Sequence, residues 1–198
     1  MKKLLAFLMA IMVFATMAAG CGGGSDKKDE KKPAAQKFIN IATGGTAGTY
    51  FPLGGAIADI LNKNVPGANA SAQSTGASVA NINLLQQDKV DIAFVQNDIA
   101  YYAVNGSEMF KDKKVPSIQG LATLYPETVQ IVTLDKTGVK SLNDVKGKRV
   151  AVGAAGSGTE ANARQILEGL GLIRIRPLLH SNGDIAGGDD IACRSVGA

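Results

Sequence analysis

The sequence predicts an α/β fold built as two lobes, with parallel strands at the core of each. Short apolar runs alternate with longer segments in which apolar residues recur every three or four positions, as in strands joined by helices. A glycine-rich loop with hydroxyl residues occurs twice, at residues 45–49 and 155–159. Both times it follows a strand-like run and opens a helix, so we expect two lobes that each present one loop.

The first lobe is predicted over residues 38–134. One helix is expected to begin near Tyr50 and to end at residues 65–67, and a second helix follows the turn at residues 74–76. The apolar face of the first helix is expected to comprise Leu53, Ile57, Ile60 and Leu61. The strand-like runs of this lobe are residues 38–42, 70–74, 90–95, 118–125 and 128–134.

The start of the second lobe is predicted over residues 135–172. A strand at 149–153 leads through a loop into a helix that Gly171 ends. Apolar residues of this helix recur at helical spacing, at Ala163, Ile166, Leu167 and Leu170.

Residues 173–198 form an atypical tail. Its apolar residues follow neither a helical nor an alternating pattern, and it contains the only histidine, His180. We expect such a tail from a product that is truncated or frameshifted after about residue 172, which would leave the second lobe incomplete.

The N-terminus has the plan of a lipoprotein signal. Two lysines precede an uncharged apolar run, which ends in small residues directly before Cys21. Residues 1–20 are therefore predicted to be a signal peptide, and Cys21 the lipid-anchored first residue of an exported protein on the periplasmic or extracytoplasmic side. An uncleaved anchor is the alternative, but the run is short of the roughly 20 residues that a span needs. Residues 21–37 are polar and charged and are predicted to be a flexible tether.

Composition excludes several function classes. Two of the 21 basic residues lie in the signal peptide, which leaves 19 against 17 acidic residues, a balance that argues against nucleic-acid binding. Acylation of Cys21 would leave Cys193 without a disulfide partner. Neither glycine-rich loop continues into the Gly-Lys-Ser/Thr of a P-loop, and no catalytic set or metal-ligand cluster occurs. We therefore expect neither an enzyme nor a bound cofactor.

The loops have the chemistry of an anion site. Free N–H groups and a partial positive charge at a helix N-terminus bind carboxylate or phosphate without arginine, and hydroxyls add donors. Each residue also has a structural interpretation. Ser and Thr cap helices, and Tyr50 packs on its own helix. Residues 96–98 form a turn that ends a strand, and Glu127 is a solvated hinge residue. Three loops at successive strand ends favour a ligand site. The candidate ligand-binding residues are Gly45, Thr46, Thr49, Tyr50, Ser74, Thr75, Gly76, Gln96, Asp98, Glu127, Ser157, Gly158 and Thr159.

Three stretches, residues 41–54, 74–82 and 91–96, together resemble the TAXI family, the solute receptors of tripartite ATP-independent periplasmic (TRAP) transporters. Residues 141–159 look like the entry to the second lobe of many periplasmic binding proteins. The resemblance covers about residues 38–172. It implies two α/β lobes joined by crossing strands around a ligand, which is an amino acid such as glutamate or glutamine or a related carboxylate. It also implies delivery to TRAP membrane permease subunits without ATP hydrolysis.

Three alternatives stay open at this point. The chain could be the receptor of an ATP-driven importer of similar fold, for thiamine precursors or sulfonates. It could be an exported α/β enzyme that holds phosphate at a helix N-terminus, or a non-functional truncated fragment.

Overall fold

The structure is a computed structural model, and it describes residues 36–172, 177–178 and 190–197. The predicted signal peptide, Cys21 and nearly all of the predicted tether lie outside the described residues, as does His180. Within the described residues, no helix is long and apolar enough to cross a lipid bilayer.

The first lobe is built on three parallel strands. These are β1 (Lys37–Ala42), β2 (Ala68–Gln73) and β3 (Ile92–Ala93), and the helices of this lobe are α1 (Tyr50–Asn64), α2 (Ser78–Gln86) and α3 (Asn97–Asn105). The strand order is β2-β1-β3, with Ile41 of the central strand opposite Ala72 on one side and Ile92 on the other. The predicted α/β fold with a parallel core is therefore confirmed.

The two faces of this sheet are covered differently. Ile41, Ala58, Ala70 and Phe94 form a buried cluster beneath α1. A second cluster joins α2, α3 and the segment after α3, through residues Ile82, Ile99, Ala103, Phe110 and Val115. Ala161, which comes from the second lobe, is part of this second cluster and is 4% exposed. The two lobes thus share apolar packing.

The second lobe contains a mixed four-stranded sheet. Its strands are β4 (Glu127–Val132), β5 (Arg149–Ala151), β6 (Pro177–Leu178) and β7 (Asp190–Gly197), in the order β4-β7-β5-β6. Strand β7 pairs antiparallel with β4 and parallel with β5. Residues 174–198 showed no strand pattern in the sequence, yet β6 and β7 lie there, because strand pairing is made by main-chain groups and does not require apolar alternation.

Helix α4 (Gly158–Gly169) covers this sheet, and two short 3-10 helices precede β5, at Asp135–Thr137 and Leu142–Val145. The buried core here contains residues from the second 3-10 helix, from β5 and the residue after it, and from α4: Val145, Val150, Val152 and Ala163. Leu167 packs against this core, whereas Leu170, predicted on the same face, is 39% exposed at the end of the helix.

Two predicted strands differ from the observed ones. Residues 118–125 form no strand and pair with none of the described strands, and Leu121 and Leu124 are 79% and 54% exposed. The run at 90–95 contains only the two-residue β3, although its hydrogen bonds to the central strand extend from Asp91 N to Phe94 N. An apolar run alone does not specify where a neighbouring strand will be.

The buried face of α1 also differs from the prediction. Ile60 is 59% exposed, whereas Gly54 and Ala58 are buried. These two small residues let the helix approach the sheet closely, so the buried stripe is centred on them and Ile60 lies at its edge. The predicted start near Tyr50 and the end at residues 65–67 are confirmed.

Candidate ligand-binding site

The N-terminus of α2 is where the second lobe meets the first. The N–H groups of Val79 and Ala80 both donate to the carbonyl oxygen of Gly156, at 3.0 and 3.1 Å. The next N–H, of Asn81, donates within the helix to Ala77 O at 2.8 Å. Two donors of the first helical turn, which have no partner inside the helix, are thus satisfied by a loop of the other lobe.

We call this contact region the seam, and it comprises residues 76–80, 96–98 and 155–162. A Cβ on Gly76 would lie 3.0 Å from the carbonyl oxygen of Ala155, and one on Gly158 would lie 1.3 Å from Oε1 of Gln96. Both glycines therefore lie where the lobes approach closely, and a Cβ at either position would have to displace a neighbouring group. The prediction placed both in the ligand site, and the structure places both where the lobes touch.

Polar side chains cross the seam at the start of α3. Gln96 donates through Nε2 to Oδ1 of Asn162 at 3.0 Å, and its main-chain N–H donates to Oγ of Ser78 at 3.1 Å. Asn162 donates through Nδ2 to Oδ2 of Asp98 at 2.5 Å. Gln96 is 8% exposed and Ser78 is 1% exposed, so these bonds satisfy groups that water barely reaches.

Ser74 and Thr75 hold the strand ends in place. Ser74 Oγ donates to Gly44 O at 3.0 Å, while Thr75 Oγ1 lies 2.9 Å from Thr43 O and 2.6 Å from Oδ1 of Asn81. The buried amide of Asn81 donates to the carbonyls that follow β1 and β3, those of Thr43 and Phe94. Through these bonds the hydroxyls and the amide fix the loop that leads into α2.

An aromatic and acidic group lies beside the seam. The Tyr50 ring packs against Phe94 with centroids 5.2 Å apart and against Tyr125 at 6.4 Å. Tyr125 donates to Glu127 Oε1 at 3.1 Å, and the Tyr50 hydroxyl interacts with Glu127 and Ser78. Burial, followed by the hydrogen bond and charge of Glu127, raises the pKa of Tyr50 above its usual value, and burial and the same carboxylate raise the pKa of Tyr125. Both phenols therefore favour the protonated state, and the phenol of Tyr125 donates to the Glu127 carboxylate.

The remaining predicted residues lie in the turn before α1 and at the start of α4. Gly45, Thr46 and Thr49 are exposed in the turn before α1, and the contacts given above for the second-lobe loop are made with α2 and α3. The Ser157 hydroxyl caps α4 by accepting a hydrogen bond from Glu160 N at 3.0 Å. Its observed contact is therefore the structural one, a helix cap. Thr159 is half-buried in the first turn of α4.

The sequence did not single out three residues that matter here. Ser78 and Asn162 lie in the seam, and Asn81 holds the strand ends beside it. A signal existed for the two asparagines. Each lies in the first turns of a helix that follows a glycine and hydroxyl loop, and asparagine is a poor choice inside a helix unless its amide has a specific partner.

Among the described residues, no group of three or more His, Cys, Asp or Glu side chains could hold a metal ion. What the seam offers is main-chain N–H groups, hydroxyls and amides from two α/β lobes. The fold, with its parallel three-stranded sheet and covering helices, is that of a lobe of the periplasmic-binding-protein type.

The sequence matches the NMT1-like family over residues 41–181, and the chain belongs to that family. The family is related to periplasmic solute-binding proteins. Membership supports a general role as a substrate-binding receptor with a small-molecule ligand and transporter partners. The match ends at residue 181, whereas the family resemblance was expected to end at about residue 172.

Proposed function

We propose that the chain is an extracytoplasmic solute receptor of a TRAP transporter, of the TAXI type, that captures an amino acid or a related carboxylate. The observation that carries this proposal is the pair of hydrogen bonds from the Val79 and Ala80 N–H groups to the Gly156 carbonyl across the seam. An electronegative oxygen already sits at the positive end of α2. A ligand carboxylate oxygen is the chemical group that would take its place.

The side chains around this point suit a ligand with two kinds of charge. Ser78 supplies a hydroxyl at the helix terminus, and Tyr50 supplies a protonated phenol that interacts with Glu127. The Glu127 carboxylate, which accepts from Tyr125, is a partner for a ligand ammonium group. A zwitterionic amino acid such as glutamate or glutamine has both groups, so it satisfies the helix terminus and the carboxylate together.

Delivery to a transporter is proposed from the N-terminal sequence. After export, Cys21 would be acylated and residues 21–37 would tether the lobes to the membrane. Glutamate or glutamine bound between the lobes would then reach permease subunits that use an ion gradient. A gene for a fused TRAP permease beside this one would support the proposal, whereas genes for an ATP-driven importer would contradict the TRAP assignment.

Calorimetry on the purified chain with glutamate, glutamine and neutral analogues tests the ligand class. We expect the carboxylates to bind, and Ser78→Ala to weaken their binding by about tenfold, which corresponds to about 1.4 kcal/mol. Ser117→Ala, at an exposed serine in a turn outside the seam, is the matched control and should leave affinity unchanged. Binding of the neutral analogues but not of the carboxylates would overturn the proposal.

A further inference from the structure

Asn162 is the one side chain described above that bonds two side chains of the opposite lobe. Its Oδ1 accepts from Gln96 Nε2 at 3.0 Å, and its Nδ2 donates to Asp98 Oδ2 at 2.5 Å. Gln96 is the N-cap of α3, and Asp98 lies in the first turn of that helix. An asparagine amide has one oxygen and one nitrogen, and here each of them has a partner at the start of the same helix.

The neighbours of Asn162 hold the two helices in one relative position. Ala161, the preceding residue, is buried among Ile82 and Ile99 of the first lobe. Gly158, one turn earlier, leaves the space that the Gln96 amide fills. The amides of Gln96 and Asn162 therefore lie between an apolar contact and a close backbone approach. Loss of the Asn162 amide would leave the buried Gln96 amide without this bond.

We propose that Asn162 is a positioning residue, a latch that holds α4 against the first lobe. While the latch is closed, the Gly156 carbonyl stays on the Val79 and Ala80 N–H groups. Opening it frees these donors. The consequence for ligand entry rests on the proposed function, but the latch itself consists only of contacts within the chain.

A charge change tests the latch. Asn162→Asp places a carboxylate against the carboxylate of Asp98 at the distance of a hydrogen bond, so like charges replace the donor and acceptor. Combining Asn162→Asp with Asp98→Asn exchanges the two groups and restores both bonds. In the exchanged pair, Gln96 Nε2 again donates to residue 162, and the amide at position 98 donates to the carboxylate. The oxygen of that amide can still accept from Ile99 N, as Asp98 Oδ1 does at 2.8 Å.

Amide hydrogen exchange by NMR, on the ligand-free chain as a bacterial host processes it, is the readout. Val79 and Ala80 report the seam, and Asn81 N, which donates within the first lobe, reports the helix itself. We expect Asn162→Asp to speed exchange at Val79 and Ala80 by about tenfold or more, with Asn81 unchanged and with the exchanged pair returning to wild-type rates.

Three results would overturn the latch. These are unchanged exchange at Val79 and Ala80 in Asn162→Asp, equal acceleration at Asn81, and a failure of the exchanged pair to restore protection. Because no ligand is present, failure of carboxylates to bind in calorimetry would contradict the proposed function and leave this measurement intact.

Discussion

Two adjacent glycines in α1 offer a test of how closely this helix packs on the first sheet. A Cβ on Gly54 would lie 2.4 Å from Cγ2 of Thr43, 3.4 Å from the Phe94 ring and 3.5 Å from Cβ of Ala72, whereas one on Gly55 would meet nothing within 4 Å. Neither glycine has a positive φ. Alanine at the two positions should therefore have different effects on the free energy of unfolding, although both sit in the same helix.

The magnitudes follow from two effects. Replacing glycine by alanine inside a helix stabilises by about 1 kcal/mol, so Gly55→Ala should raise the free energy of unfolding by about that amount. Gly54→Ala has the same gain but overpacks the core, at a cost of about 1–3 kcal/mol. Thr43 cannot move aside easily, because it is fully buried and its hydroxyl donates to Gln73 O at 2.7 Å. The propensity gain cancels between the variants, so they should differ by about 1–3 kcal/mol.

Urea unfolding followed by circular dichroism measures both variants against the wild type. The double variant should fall between the single ones, since the two side chains point to different surroundings. If Gly54→Ala were as stable as Gly55→Ala, the close approach of α1 to Thr43 would be wrong.

Three further predictions concern the seam, the phenols and the anchor. Gly158→Ala should force Gln96 from its position and speed exchange at the Val79 and Ala80 amides, whereas Gly169→Ala, in the same helix with nothing within 4 Å, should not; equal exchange in both variants would contradict the contact. The raised pKa of Tyr50 means that the folded state favours the protonated phenol, so stability is fully present below the usual value of 10.0 and is lost as pH rises further. Urea unfolding at about pH 9 and about pH 11 should show a smaller loss in Tyr50→Phe than in the wild type; equal losses would count against the burial of Tyr50. Cys21→Ser should move the protein from the membrane to the soluble fraction, and unchanged membrane association would refute lipidation.

The parallel core was predictable because its signals are local. The spacing of apolar residues places α1 on the sheet, and the glycine and hydroxyl loops mark where α2 and α4 begin. Errors occurred where a neighbour decides the structure. Residues 118–125 have the pattern of a strand but pair with none of the strands in the described part of the chain, and β7 forms between two strands although its own sequence has no strand pattern.

The candidate site was predictable as a region but not as a set of contacts. Ser157 and Thr75 follow local rules for loops before helices, so their positions were found, yet their hydroxyls cap a helix or brace a strand end. Asn162 was missed because its partners lie more than 60 positions away in the chain. One sequence contains no information on such a pairing until the fold brings α4 to α3.

The closed seam also has a consequence for which ligands the chain could accept, if it is the receptor proposed. A ligand that needs the Val79 and Ala80 N–H groups competes with the Gly156 carbonyl, which is held close by the rest of its own lobe. Its apparent affinity is reduced by the fraction of molecules in which the seam is open. A neutral carbonyl on a ligand gains nothing over the carbonyl that it displaces. A carboxylate does gain, because charge-assisted hydrogen bonds are roughly twice as strong as neutral ones. The free N–H groups of the helix terminus would thus favour anions without any arginine, and weakening the self-contact should raise the apparent affinity of neutral analogues and of carboxylates by the same factor.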